Sequence, residues 1–159
     1  MIYAEILSTT PADPRPVRAL SQTDDKGSSD TAGPGKLSVM VVEDEWIVSM
    51  EIEAALEEGG YDCVGVASTA REALALAGSA RPDLVLMDIR LKGNDDGVEV
   101  AKELRNRFGL RCLFISAHAD GATKERAAGA DPLGWLPKPF SAPQLLQMLA
   151  AVNSELGQK

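Results

Sequence analysis

The chain has 159 residues, of which 45% are hydrophobic and 25% charged, so it suits one globular domain with a substantial core. The net charge is -8 and no basic run occurs, which argues against a protein that binds nucleic-acid backbones. The apolar stretches are strand-sized, far shorter than the roughly 20 residues of a membrane-spanning helix, and no signal-peptide pattern begins the chain. We therefore expect a cytoplasmic protein with neither a membrane nor a nucleic-acid partner.

The first 36 residues differ in composition from the rest. They hold four of the nine prolines and the polar run 21–30. Such a segment buries too little apolar surface to offset its ordering entropy, so residues 1–36 are predicted to form a disordered tail. The alternative is that the apolar stretch 2–7 docks as a short strand or helix. The compact domain is predicted to cover residues 37–159.

Strands and helices are predicted to alternate after Lys36. Apolar runs predict five strands, at residues 37–42, 61–67, 83–88, 111–116 and 133–136. Amphipathic or capped segments predict helices at 46–58, 69–78, 98–107, 121–128 and after Ser141. The runs 84–87 and 113–115 are continuously apolar, which is typical of strands covered on both faces. The pattern predicts an α/β fold, a doubly wound parallel sheet with helices on both faces.

Several local signals refine this prediction. Thr69 with Glu72, and Ser141 with Gln144, form sequence patterns of the capping box. The Lys138-Pro139 bond is a candidate cis peptide. The remaining signal comes from the two cysteines, Cys63 and Cys112, which both fall in predicted buried strands. They favour reduced core thiols over a disulfide or a zinc site.

Polar residues follow four of the predicted strands. Glu43-Asp44-Glu45 follows the first, Asp88 ends the third, Ser116 ends the fourth and Lys138 follows the fifth. Doubly wound sheets bind ligands at the carboxyl ends of their strands, so these side chains are expected at one edge. Clustered carboxylates there require a cation, and their oxygen donors suit magnesium. Glu45 has a simpler explanation, since acidic residues favour a helix start.

The other side chains at this edge suit phosphoryl chemistry. Asp88, at the end of a buried strand, can act as an oxygen nucleophile. The hydroxyl of Ser116 can donate a hydrogen bond to a phosphoryl oxygen, and the ammonium of Lys138 offers it a point charge. These motifs, in this order, resemble the response-regulator receiver domain of two-component signalling, from about Leu37 to Leu156.

The resemblance implies a flavodoxin-like fold of strand order 2-1-3-4-5, with Asp88 as the phosphoacceptor. The implied Mg²⁺ ligands are Asp44, Asp88, Glu43 through a water, and the backbone carbonyl of Arg90. The residues implied to contact the phosphoryl group or to switch with it are Ser116, Lys138 and Trp135.

The chain departs from the family pattern in three ways. Lys92 stands where a proline usually follows the phosphoacceptor, and this loop is one residue longer than usual. Trp135 is bulkier than the usual tyrosine or phenylalanine. His118 lies two residues after Ser116, where family members tune loss of the phosphoryl group, as Arg90 also could; a solvent-facing histidine without a role is the alternative.

The expected function is that of a single-domain response regulator, not an enzyme. Its expected donor is a histidine kinase or a histidine phosphotransfer protein. The chain ends about twenty residues after Phe140, so no output domain is expected to follow. Output would be a phosphorylation-dependent contact with a downstream protein or onward transfer, and a homodimer is possible. Alternatives are an unphosphorylated interaction module or, less favoured because Arg90 replaces the second aspartate, an aspartyl-phosphate phosphatase.

Overall fold

The structure is a computed structural model that describes residues 36–157. The predicted disordered tail therefore lies outside the described residues, except for Lys36, which is exposed. Within residues 36–157, no helix is both long and apolar enough to cross a lipid bilayer.

Five parallel strands form one sheet. The strands are β1 Ser38–Val42, β2 Asp62–Ala67, β3 Leu84–Asp88, β4 Cys112–Ser116 and β5 Gly134–Pro137. The helices are α1 Trp46–Glu58, α2 Ala70–Ala80, α3 Gly97–Phe108, α4 Gly121–Ala127, which runs into a 3-10 turn, and α5 Ala142–Leu156. The strand order is β2-β1-β3-β4-β5, which confirms the predicted doubly wound α/β fold.

Helices cover both faces of the sheet. Alternate residues of each strand point to opposite faces, so each strand contributes to two buried clusters. On one side, Met40, Met87 and Phe114 belong to a buried cluster with residues of α2, α3 and α4. On the other, Val41 and Leu86 belong to a buried cluster with residues of α1 and α5. All five residues of β3 and of β4 are buried, as their continuously apolar sequences predict.

The edge strand β2 is less buried than its sequence suggested. Cys63 is only partly buried, because β2 pairs with a single neighbour, β1, and lies at the margin of the sheet. Cys112, in the interior strand β4, is buried, and this burial raises the pKa of its thiol to about 12. Both cysteines are free thiols, as predicted.

The two capping boxes differ in outcome. At α5, the Ser141 hydroxyl accepts from the Gln144 backbone and the Gln144 side chain accepts from the Ser141 backbone, so the predicted box is complete. At α2, Thr69 accepts from the Glu72 backbone, but the Glu72 carboxylate accepts from Ser68 instead. The helix also continues past Gly78 to Ala80 before the chain turns.

Candidate functional site

The predicted polar residues do meet at the carboxyl edge of the sheet. Asp88 and Ser116 are the last residues of the neighbouring strands β3 and β4, while Glu43 directly follows β1 and Lys138 directly follows β5. One carboxylate oxygen from each of Glu43, Asp44 and Asp88 lies within 4.8 Å of the others. The parallel topology alone produces this convergence, because it carries all four strand ends to one side.

Lys138 is the cation that neutralises part of this cluster. Its Nζ lies 2.9 Å from Oε2 of Glu43 and 3.3 Å from Oδ2 of Asp88. Glu43 is 2% exposed and Asp88 5% exposed, so little water solvates either carboxylate. The Lys138-Pro139 peptide is cis, as predicted, and the Lys138 backbone N–H donates to the carbonyl of Ser116.

The ion pair does not fully offset the cost of burial. Burial raises the pKa of the Glu43 carboxyl, and the hydrogen bond from Lys138 only partly opposes this rise. Burial by itself would lower the pKa of the Lys138 ammonium, but the hydrogen bond to Glu43 and the charges of Asp88 and Glu43 outweigh it, so the pKa lies above its ordinary value. Two carboxylates thus raise the pKa of Lys138, whereas the pKa of Glu43 stays above its ordinary value because burial outweighs its ion pair.

The other contacts of the carboxylates leave the cluster with a net negative charge. The second oxygen of Glu43, Oε1, accepts from the backbone N–H of Glu45 at 3.0 Å. Asp44 lies 4.0 Å from the ammonium of Lys92, which is largely exposed and so well screened. Three carboxylates clustered near one half-buried ammonium leave an excess of carboxylate oxygens, which are the ligands that Mg²⁺ prefers. These residues fit a divalent cation.

A cleft of about 130 Å³ opens beside this cluster. Its lining residues are Glu45, Asp88, Arg90, Ser116, Ala117, His118 and Lys138. The Ser116 hydroxyl is already engaged, since it donates to the carbonyl of His118 at 2.9 Å and accepts from the His118 N–H at 3.0 Å. The hydroxyl must leave this turn before it can donate to a ligand bound at Asp88.

Trp135 does not line the cleft. It lies on β5 with its ring stacked on that of Phe114, with 4.6 Å between the centroids, and it packs partly buried against the core. The ammonium of Lys124 on α4 lies 5.8 Å from the indole centroid. Phe114 precedes Ser116 by two residues on β4, and Trp135 precedes the cleft residue Lys138 by three, so both strands connect Trp135 to the cleft.

The loop after Asp88 holds the backbone of Arg90 beside the cluster. The Arg90 N–H donates to Oδ1 of Asp88 at 3.3 Å, and Arg90 pairs with Asp96 in an isolated antiparallel bridge. Two contacts of this loop went unpredicted: Lys92 near Asp44, and Asp95, whose carboxylate accepts from the first N–H of α2. The next residue, Asp96, caps α3 by accepting from the Val98 N–H at 2.9 Å, but the sequence gives no sign of the bond from α2 to Asp95.

The family model described as the response regulator receiver domain matches residues 39–150. The chain belongs to this family. Receiver domains operate in two-component signalling and are in general signalling modules rather than enzymes. The solved receiver domain of a modulated diguanylate cyclase from Desulfovibrio desulfuricans is 34% identical, with a TM-score of 0.71, and the match covers 77% of this chain and 98% of that one.

Two curated relatives are longer than this chain. The transcriptional regulatory protein PdtaR of Mycobacterium tuberculosis is 34% identical over 118 residues, which is 74% of this chain and 56% of the relative. The phyllosphere-induced regulator PhyR of Methylorubrum extorquens is 32% identical over 118 residues, 73% of this chain and 43% of the relative. The chain therefore spans about half the length of the curated relatives it matches.

Proposed function

We propose that residues 37–159 form a Mg²⁺-dependent phosphoacceptor unit that receives a phosphoryl group on Asp88 from a histidine kinase or a histidine phosphotransfer protein in the cytoplasm. One observation carries the proposal: the nearly buried carboxylate of Asp88 accepts a hydrogen bond from Lys138 and shares its edge with the carboxylates of Glu43 and Asp44. A structural strand-end aspartate needs neither the ammonium nor the other carboxylates.

The transfer requires an oxygen nucleophile with an open face. An oxygen of Asp88 would attack the phosphorus of a phosphohistidine, forming the P–O bond as the P–N bond breaks. The donor imidazole keeps the electron pair of the broken bond and takes a proton from solvent. Lys138 stabilises the charge on the phosphoryl oxygens, and the adjoining cleft gives the donor its access to Asp88.

The metal would be held by Asp44, Asp88 and the Arg90 carbonyl, with Glu43 acting through a water. Bound Mg²⁺ supplies charge neutralisation for the clustered carboxylates and for the transferring phosphoryl group. Among residues 36–157, the ammonium paired with Asp44 is that of the exposed Lys92, so its carboxylate would exchange a weak ion pair for the metal.

The signal would leave the site through the ends of β4 and β5. A phosphoryl group on Asp88 would offer Ser116 a charged acceptor in place of the His118 carbonyl, and would offer Lys138 charged oxygens beyond those of Glu43 and Asp88. Their movement would shift Trp135 and change the surface presented to a downstream protein, or the phosphoryl group would pass onward. Arg90 and His118 line the cleft and would tune how long the phosphoryl group persists.

Intact-mass measurement after incubation with acetyl phosphate and Mg²⁺ tests the proposal. We expect one added phosphoryl group in the wild type and none in Asp88→Asn, because an amide is not a nucleophile. Asp62→Asn, which alters an exposed aspartate at the start of β2, is the matched control and should be phosphorylated normally. An unmodified wild type would indicate an interaction module instead, and rapid consumption of acetyl phosphate without a lasting adduct would indicate a phosphatase.

A further inference from the structure

The loop between Asp88 and α3 is anchored unevenly along its length. Its inner half buries the side chains of Ile89 and Leu91 in the core. Its tip, residues 92–94, is exposed and turns at Gly93, whose φ is +80°. The returning half, which ends at α3, therefore needs anchors other than apolar packing.

Asp95 anchors the returning half to a different helix. Its Oδ2 accepts from the N–H of Ala70 at 2.8 Å, across 25 residues of sequence. Ala70 is the first residue of α2, and the first N–H groups of a helix have no partner within it. A carboxylate at this position is stabilised by the positive end of the helix and by a charge-assisted hydrogen bond. Asp95 is partly buried, which limits competition from water.

Asp95 lies one residue before Asp96, whose backbone pairs with that of Arg90. Asp96, the neighbour of Asp95, pairs with Arg90, and the Gly97 N–H donates to the carbonyl of Ile89 at 2.8 Å. A Cβ at position 97 would lie 2.0 Å from the carbonyl oxygen of Asp88, so the two arms of the loop approach closely there. Movement of Asp95 would therefore reach the Arg90 backbone through its neighbour Asp96.

We infer that Asp95 is a positioning residue for the metal site, which it serves by fastening the Arg90 backbone to the start of α2 without touching the metal or the phosphoryl group. The inference rests on the proposed function, in which the Arg90 carbonyl is a ligand. Loss of groups that orient metal ligands typically lowers metal affinity about 10–100-fold. Because Asp95 reaches the Arg90 carbonyl only through the backbone of Asp96 and Arg90, we expect the lower end of this range, a loss of Mg²⁺ affinity of about tenfold.

Asp95→Ala and Asp95→Asn together test this inference. Both variants remove the same charge, but asparagine keeps an oxygen that can accept from the Ala70 N–H. In a Mg²⁺ titration followed by tryptophan emission, Asp95→Ala should bind about tenfold more weakly, while Asp95→Asn should stay within about twofold of the wild type. Equal weakening in both variants would mean that charge alone acts, and no weakening in either would equally overturn the inference.

Asp83→Ala is the matched control, because it removes the same kind of tether at the far end of β3. Asp83 accepts from the backbone N–H of Ser38 at 2.7 Å and from its hydroxyl at 2.8 Å. This variant should lower the melting temperature and leave Mg²⁺ affinity unchanged. A loss of affinity as large as that of Asp95→Ala would attribute the effect to general loosening and contradict a positioning role.

Hydrogen exchange of the metal-free protein separates failure of this inference from failure of the proposed function. The amides of Arg90 and Gly97 should exchange faster in Asp95→Ala and remain protected in Asp95→Asn and Asp83→Ala. Unchanged exchange in Asp95→Ala would overturn the tether itself. A wild type that does not bind Mg²⁺, with exchange as expected, would overturn the proposed function and leave the tether standing.

Discussion

At the amino edge of the sheet, the guanidinium of Arg111 contacts Asp131 at 3.0 Å and Glu155 at 3.0 Å, and both carboxylates remain about half exposed to water. Arg105 adds a second cation to Asp131 at 3.4 Å. At the carboxyl edge, one ammonium faces two nearly buried carboxylates with a third beside them. The Arg111 cluster at the amino edge is balanced in charge and solvated, whereas the cluster at the carboxyl edge has excess negative charge and little water.

The difference indicates what each edge contributes. Exposed ion pairs stabilise a protein by at most about 1 kcal/mol, and their carboxylates lose little hydration on folding. The pairs at the amino edge join β4 to the loop before β5 and to α5. Buried carboxylates without enough partners cost stability, and such clusters concentrate at functional sites. The raised pKa of the Glu43 carboxyl is the local sign of that cost.

Removing the ammonium at the carboxyl edge is the most severe way to test the comparison. Lys138→Met should destabilise the metal-free protein by about 3 kcal/mol at pH 7, because it leaves Glu43 and Asp88 buried without their cation. Lys138 holds down the pKa of Glu43, so the variant raises that pKa further. A raised folded-state pKa favours folding at low pH and loses its benefit as pH rises through it. The deficit should therefore shrink between pH 7 and pH 5 in urea denaturation.

Arg111→Met is the counterpart at the amino edge. Its two carboxylates are half exposed and keep their water, so we expect a loss of about 1 kcal/mol or less. Its deficit should not shrink between pH 7 and pH 5, but it should diminish with added salt. A cost equal to that of Lys138→Met would show that the two edges do not differ in the way proposed.

The next largest effect is expected from removing one negative charge from the carboxylates at the carboxyl edge. Asp44→Asn should weaken Mg²⁺ binding about 10–100-fold, because it removes a charged donor from the cluster. The metal-free protein should melt at the same or a slightly higher temperature, since repulsion among the carboxylates is relieved. Calorimetric titration and thermal melts check both expectations, with Asp62→Asn as the control of equal charge. A large fall in the metal-free melting temperature would make Asp44 a structural residue.

Sequence reasoning placed these polar side chains at one edge of the sheet because the topology leaves them little freedom. Once five strand–helix units predict a parallel sheet, the strand ends at Asp88, Ser116 and Lys138 must share an edge. Continuous apolar runs likewise predicted that β3 and β4 are covered on both faces, and all five residues of each are buried. Cys63 was assigned too much burial, because the position of β2 at the sheet margin depends on strand order rather than on its own residues.

Specific side-chain contacts could not be predicted from the sequence. Nothing near Asp95 indicates that its carboxylate meets the N–H of Ala70, because that meeting depends on how α2 sits on the sheet. The pairing of Lys138 with Glu43, and of Ser116 with its own loop at His118, depends on side-chain conformation at the assembled edge. Sequence patterns encode periodicity and local turns, and neither of these determines such contacts.

The smallest expected effect is a change in Trp135 emission, which would show whether the carboxyl edge communicates beyond its own charges. A Trp46→Phe variant removes the exposed indole on α1 and leaves Trp135, stacked on Phe114, as the reporter. In this variant, saturated with Mg²⁺, beryllofluoride should alter the emission. The physical reason is that Ser116 would exchange its bond to the loop for one to the phosphoryl mimic, shifting the strand that carries Phe114.

Ser116 variants in that Trp46→Phe background decide whether the hydroxyl makes the connection. Ser116→Ala cannot donate to the phosphoryl mimic, so the change in Trp135 emission should be blunted, although acetyl phosphate should still modify Asp88. Ser116→Thr keeps a hydroxyl and should keep the change, which separates the lost hydrogen bond from a general disturbance of β4. An undiminished change in Ser116→Ala, or no change in the parent Trp46→Phe variant, would contradict coupling from Asp88 through Ser116 to Trp135. The carboxyl edge would then differ from the amino edge in charge alone.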